Sequence, residues 1–182
     1  MPVQTGEPIG PIPAGADAEE YDRLRRRVLW SMPSGLYVLG STDGELKRNG
    51  MTLNWATQLA FEPKLVGVSV EAAAYTHELI SAGGVFALSI VDRGDRALVR
   101  KFVKPAEVDL AARTLNGVPF HDGRTGAPIL DQAAAFVECE VRQVVAVGHH
   151  SLFIGEVVDA GFQKDETTDV LRMEDTRMNY GG

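Results

Sequence analysis

The stretch Asn49–Gln58 reads NGMTLNWATQ, and its residues alternate between apolar and neutral polar types. The apolar series is Met51, Leu53, Trp55 and, further on, Leu59. The other series is Thr52, Asn54, Ala56 and Gln58. Strict alternation over this length is typical of a half-buried β-strand. Because the second series carries hydrogen-bonding groups without charge, it predicts either a face toward water or a wall against a polar ligand.

The composition indicates an ordinary globular protein. The chain has 182 residues, of which 45% are hydrophobic and 24% charged, a length and balance typical of one domain with its own core. The formal net charge is −7, so the broad basic surface of a nucleic-acid-binding protein is missing. We therefore expect no nucleic-acid partner.

Cysteine and histidine usage excludes several kinds of site. Cys139 is the only cysteine, which rules out an internal disulfide and favours a reducing, cytoplasmic location. The four histidines form no metal-ligand motif, so we expect no metal. The first twenty residues lack the pattern of a signal peptide, and no apolar run is long enough to span a membrane.

The pattern along the chain predicts an arm followed by one domain. Residues 1–16 are rich in proline and glycine and predict a flexible arm, and residues 17–182 predict a single domain. Asp17 is expected to cap a first helix that ends before Pro33. A short helix is expected to end at Gly83-Gly84, and further helical turns are expected in residues 95–103 and 105–115.

Six or seven segments read as strands with short helices between them, and they do not alternate as βαβ units. This arrangement favours an antiparallel barrel with helical insertions, an α+β fold. The sequence contains no G-x-G-x-x-G, no P-loop, no H-E-x-x-H and no G-x-S-x-G. A Rossmann fold and the hydrolases that use those motifs are therefore not indicated.

Six motifs in order resemble the flavin reductase-like family over roughly residues 25 to 162. They are GMT-x-N-W, F-x-P-x-LVGVSV, YTHELI, G-x-P-x-L, ECEV and G-x-H-S-L-x-x-GEV. The resemblance implies a mainly β, α+β fold, the antiparallel Greek-key split β-barrel that binds FMN. It also implies a homodimer and hydride transfer between NAD(P)H and the flavin, with FAD as a possible alternative to FMN. Reduced flavin would then serve a partner monooxygenase or another redox protein.

The polar strand and the start of the YTHELI helix are the candidate flavin-binding segments. Amide and hydroxyl groups suit the pyrimidine edge of a flavin, and free N–H groups at a helix start suit its phosphate. The candidates are Asn49, Gly50, Met51, Thr52, Asn54, Trp55, Ala56, Thr57, Gln58, Tyr75, Thr76 and His77. Thr52, Asn54 and Gln58 are expected on one face and Trp55 on the core side. The alternatives are a solvated strand face, Thr76 as a plain helix cap and His77 on the surface.

The turn Gly148-His149-His150 holds the candidate catalytic residue, His150. Members of the family commonly carry Gly-Asp-His here, so His149 is a departure that affects the role of the turn. Three functions stay open. They are an NAD(P)H:flavin oxidoreductase, an FMN-binding electron-transfer protein without a nicotinamide site, and a dimeric barrel without flavin.

Overall fold

The computed structural model describes residues 10–176 and Met178. Of the arm expected at residues 1–16, positions 1–9 therefore lie outside the described residues. The described residues up to Pro33 belong to one compact unit, and Ser34–Thr176 form a second, larger one. The single domain expected over residues 17–182 stays a prediction.

Helix α1 spans Ala18–Trp30 and begins as expected from its cap. The Asp17 carboxylate accepts a hydrogen bond of 2.8 Å from the N–H of Glu20, which satisfies one of the free donors of the first turn. The helix is capped at its other end by Ser31, two residues before Pro33.

The larger unit is built mainly from strands. In chain order its strands and second helix are β1 Tyr37–Thr42, β2 Arg48–Leu53, β3 Ala56–Ala60, β4 Leu65–Glu71, α2 Tyr75–Gly83, β5 Val85–Ile90, β6 Val108–Asp109, β7 Thr114–Leu115, β8 Val118–Asp122, β9 Pro128–Leu130, β10 Ala135–Val147 and β11 His150–Phe162. Single 3₁₀ turns lie at Arg93–Asp95, Leu98–Phe102 and Met173–Asp175.

Seven strands form one antiparallel sheet in the order β2-β1-β5-β10-β11-β4-β3. The two edge strands, β2 and β3, follow each other in the chain and are joined only by Asn54 and Trp55. The sheet therefore bends round until its edges meet at this link, which confirms the expected split barrel. A second sheet has the order β6-β7-β8-β9.

The barrel interior is filled by apolar side chains from opposite strands. Its fully buried members include Leu39, Val68, Phe86 and Phe153. Gly155 permits this packing, because a Cβ built there would lie 2.6 Å from the Cβ of Cys139 and 2.7 Å from a ring atom of Phe86. No real Cβ fits at such distances, so the backbone of β11 packs directly on the core.

A buried carboxylate fixes the turn between β8 and β9 to the main sheet. Glu138 in β10 is fully buried and accepts hydrogen bonds from the backbone N–H groups of Arg124 and Thr125, both at 2.9 Å. The Thr125 hydroxyl donates a third bond of 2.6 Å to the same carboxylate. The charge is thus held by three donors from one turn.

Two expectations for the middle of the chain need correction. Residues 105–115 do not form a helix but the short strands β6 and β7, since positive φ angles at Arg113 and Asn116, 53° and 51°, turn the chain back on itself. Residues 95–103 form no α-helix and are helical only in the 3₁₀ turn Leu98–Phe102 and at Asp95, the end of the turn Arg93–Asp95. The helix expected to end at Gly83-Gly84 is confirmed as α2, with Gly84 left-handed at φ 67°.

Candidate functional site

The link between β2 and β3 overturns the expectation of one continuous alternating strand. The chain leaves the ladder at Asn54 and Trp55, and the Ala56 N–H bonds back to the Asn54 carbonyl at 3.1 Å. This tight turn resets the alternation. Leu53 stays in the core, but Trp55 is 38% exposed instead of lying on the core side as expected.

For the same reason Thr52, Asn54 and Gln58 do not share one face. The Thr52 hydroxyl donates to the carbonyl of Val99 in the neighbouring 3₁₀ turn. Gln58 lies on the exposed strand β3, where its amide nitrogen donates to the carbonyl of Ala60 at 3.2 Å. Asn54 lies in the turn between them. The prediction of a wall made of these three side chains is therefore wrong.

The side-chain oxygen of Asn54 is a buried acceptor without a hydrogen-bond donor among the described residues. The residue is only 6% exposed, and its Oδ1 atom has no hydrogen-bond partner among the described residues. A buried carboxamide oxygen without a donor typically costs about 1–3 kcal/mol. Such a group at the split of the barrel is suited to a ligand that brings an N–H or O–H donor.

The other candidates of this stretch differ in exposure. Met51 packs on the core from β2, and Gly50 lies against the ring of Phe102, where a Cβ would come within 2.9 Å. Ala56 is half-buried and packs on the core from β3, whereas Thr57 is exposed. These positions shape the two strand ends but bring no further buried polar side chain to the link.

Two strands, β2 and β11, contact the first turn of α2 through hydrogen bonds. Thr76 lies within the first turn of the helix, and the alternative that it is a plain helix cap is wrong. The cap position is Ala74, which makes no side-chain cap bond, and Tyr75 is the first helical residue. Thr76 is buried, and its hydroxyl accepts a bond of 2.9 Å from the Nδ2 of Asn49. The first turn therefore keeps free backbone N–H groups without a capping side chain from the described residues.

His77 is half-buried rather than a surface residue. Its Nε2 lies 2.9 Å from the hydroxyl of Ser151 in β11, and its ring stands edge-on to Phe153 at 5.0 Å. Ser151 was not predicted as a partner, because only the pairing of β11 with β4 brings it under α2. The bonds of Asn49 and His77 together tie α2 to the edge strand β2 and to β11 in the other half of the sheet.

The late turn and the link between β2 and β3 come together. The ring of His150 stands edge-on to Trp55 at 5.1 Å, and the ring of His149 is 4.8 Å from that of His150. The pKa of His150 is lowered, first by burial and then by the nearby His149, while Glu71 opposes the shift. The shift therefore favours the neutral form of the His150 imidazole.

Metal-ligand clusters and membrane-spanning helices are both missing from the described residues, 10–176 and Met178. No group of three or more His, Cys, Asp or Glu side chains there could hold a metal ion. None of the helices in that part of the chain has the length and apolar character to cross a membrane.

The family model described as "Flavin reductase like domain" matches residues 29–181 of this chain. The match covers most of the chain, and the protein therefore belongs to the flavin reductase-like family. An NADH-dependent FAD reductase from Streptomyces globisporus is 33% identical over 143 residues, which is 76% of this chain and 76% of the relative. Other relatives are longer, since the chain spans 44% of the length of a probable flavin reductase from Rhizobium meliloti.

Solved structures agree with this assignment. The Streptomyces globisporus C-1027 NADH:FAD oxidoreductase SgcE6 superposes with a TM-score of 0.73 at 28% identity, covering 88% of this chain and 93% of that one. The styrene monooxygenase flavin reductase from Pseudomonas putida S12 gives a TM-score of 0.65 at 31% identity, covering 76% and 87%. The fold is thus that of flavin reductases.

Proposed function

We propose that this protein is an NAD(P)H:flavin oxidoreductase that binds its flavin where β2 and β3 meet. The observation that carries the proposal is the open acceptor on Asn54. The pyrimidine edge of a flavin carries an N–H donor, and pairing the two would remove the cost of the buried oxygen. A plain structural turn would gain nothing from leaving this group unpaired.

The start of α2 suits the phosphate end of the nucleotide. Its first turn has no capping side chain from the described residues, and helix N-termini attract anions through free N–H groups and the helix dipole. Because Thr76 is buried and bonded to Asn49, its role is to orient the turn. The backbone N–H groups of Tyr75 and Thr76 are then the proposed donors to phosphate.

The side chains around this site position groups and set charge. When bound, the flavin accepts a hydride from NAD(P)H and passes the electrons onward. Trp55 and His150 form one aromatic surface beside the strand link, which can cover one side of a planar ring. The lowered pKa of His150 favours an uncharged ring at this surface. The proposed hydride transfer needs neither a side-chain nucleophile nor a metal ion.

An apolar surface on the outside of the main sheet suggests a homodimer. Paired residues share a face of a sheet, and Val68 and Phe153 point into the core, so Gly67 and Leu152 point outward. Leu59 and Leu152 close over Gly67, where a Cβ would lie 2.8 Å and 3.2 Å from their Cδ1 atoms. Leu59 is 44% exposed. We expect a second copy of the chain to cover this apolar surface.

Sedimentation velocity tests the dimer. Wild-type protein is expected at twice the mass of the chain, and Leu59→Asp is expected to shift it toward monomer, because a buried unpaired charge is costly at an interface. Gln58→Glu, on the same strand but beside the apolar surface, is the control. A wild-type monomer at all concentrations would reject the proposal.

A second candidate is an electron-transfer protein that holds FMN and has no nicotinamide site. The presence of His149, where the family resemblance implies an acidic residue, favours it, because the residue alters the charge beside His150. In this case a reduced protein donor would replace NAD(P)H. Stopped-flow reduction of the flavin-loaded protein by NADH and NADPH separates the two candidates.

Flavin-dependent oxidation of NADH and NADPH tests the proposed function. We expect the rate of absorbance loss at the nicotinamide band to rise and saturate with added FMN or FAD, and FAD is included because a relative is named for it. Reduced flavin would be delivered to a monooxygenase or another redox protein in the cytoplasm. Protein that binds flavin yet shows no turnover with either nucleotide would leave the electron-transfer candidate.

A further inference from the structure

One buried carboxamide joins three separate parts of the chain. Asn49 is 2% exposed, and its Nδ2 donates to the Thr76 hydroxyl of α2 at 2.9 Å. Its Oδ1 accepts a bond of 2.8 Å from the backbone N–H of Ala106. Since both ends of the amide are used inside the protein, the prediction that Asn49 itself contacts the flavin is wrong.

Asn49 lies beside a second buried polar side chain. Asn49 pairs with Ser41 of β1 on the interior side of the sheet, and Ser41 is fully buried with its Oγ lacking a partner among the described residues. Unpaired polar groups in such a place are costly. Among side chains of this size, a carboxamide supplies both a donor and an acceptor.

The segment Lys101–Glu107 is held at a second point. The Glu107 N–H donates to the Oδ1 of Asn116 at 2.9 Å, and the Nδ2 of Asn116 donates to the carbonyl of Lys101 at 2.7 Å. Asn116 thus closes the segment into a loop, and Asn49 ties that loop to α2. The loop carries two exposed cations, Lys101 and Lys104.

We propose that Asn49 is a positioning residue for the phosphate end of the flavin nucleotide. It holds the cationic segment Lys101–Glu107 against the first turn of α2, so that lysine charge and free helix N–H groups act on the same anion. Affinity for phosphorylated flavins then depends on the Asn49 bridge, whereas affinity for the flavin ring alone does not. This inference rests on the flavin site proposed above.

Titration with FMN and with riboflavin, which lacks the phosphate, tests the bridge. Thr76→Val cuts the bond from Asn49 to α2 with little change in volume and leaves the backbone N–H groups in place. Thr76→Ser restores the hydroxyl, and Asn49→Ala removes both bonds. Ser89→Ala is the matched control, because Ser89 is also fully buried and its hydroxyl accepts one bond of 3.0 Å, from the Leu130 N–H.

We expect Thr76→Val and Asn49→Ala to raise the Kd for FMN by about fivefold or more, the equivalent of one buried hydrogen bond. The Kd for riboflavin is expected to stay within about twofold, as are both constants in Thr76→Ser and Ser89→Ala. An equal loss for both flavins, or no loss for FMN, overturns the role of Asn49. Wild-type protein that binds neither flavin refutes the flavin site itself.

Discussion

Replacement of Glu138 by glutamine tests the account of the buried carboxylate. Its Oε1 accepts both donors of Thr125 and its Oε2 accepts the Arg124 N–H. In Glu138→Gln the amide oxygen can face Thr125, but the amide nitrogen then faces the N–H of Arg124 as donor against donor. One bond to a charged acceptor is lost and one part-buried N–H is left unpaired.

The magnitude follows from these bonds. A hydrogen bond to a charged group contributes about 1.5–3 kcal/mol, and an unpaired buried donor costs about 1–3 kcal/mol. Removing the desolvation cost of the buried charge offsets part of the sum. We expect the free energy of unfolding to fall by about 3 kcal/mol, or the melting temperature by about 6–12 °C for a chain of this size.

Urea unfolding followed by far-UV circular dichroism measures the effect. Glu140→Gln is the matched control, because Glu140 lies on the same strand with its side chain 46% exposed and paired with Arg142. We expect that control to change stability by less than about 0.5 kcal/mol. If Glu138→Gln were as stable as Glu140→Gln, the three-donor account of the turn would be wrong.

Two further predictions concern the core and the late turn. Gly155→Ala places a Cβ against Cys139 and Phe86 and is expected to lower the free energy of unfolding by about 1–3 kcal/mol. An unchanged urea midpoint would contradict it. His149→Asp removes a like charge and adds an opposite one, so the pKa of His150, now lowered, is expected to rise. The variant should then lose less stability than wild type as pH falls through the range just below the ordinary histidine pKa, and NMR titration of the His150 ring measures the shift.

The elements that depend on local pattern were predicted well from the sequence. The β10–β11 hairpin around Gly148, the Asp17 cap and the end of α2 at Gly84 all follow from short-range rules. Residues 105–115 were misread as helical, because the apolar spacing there matched a helix while the chain uses two left-handed residues to make tight turns.

The candidate site was predicted in its segments but not in its geometry. Alternation of residue types cannot show that a strand stops and restarts. The turn at Asn54 and the exposed position of Trp55 could therefore not be predicted from the sequence. The bonds of Asn49 to Thr76 and Ala106 join residues 27 and 57 positions apart. Such long-range pairs arise from the topology of the barrel, which a single sequence does not specify.

The open acceptor of Asn54 gives the most direct test of the central claim. In Asn54→Leu the unpaired buried oxygen is gone, so the flavin-free protein is expected to melt at a higher temperature than wild type. Its Kd for FMN and FAD should rise by about tenfold, since the ligand loses that bond. Calorimetric titration and thermal unfolding of the same two samples provide both numbers. Equal flavin affinity in wild type and Asn54→Leu would contradict a flavin site at the link between β2 and β3.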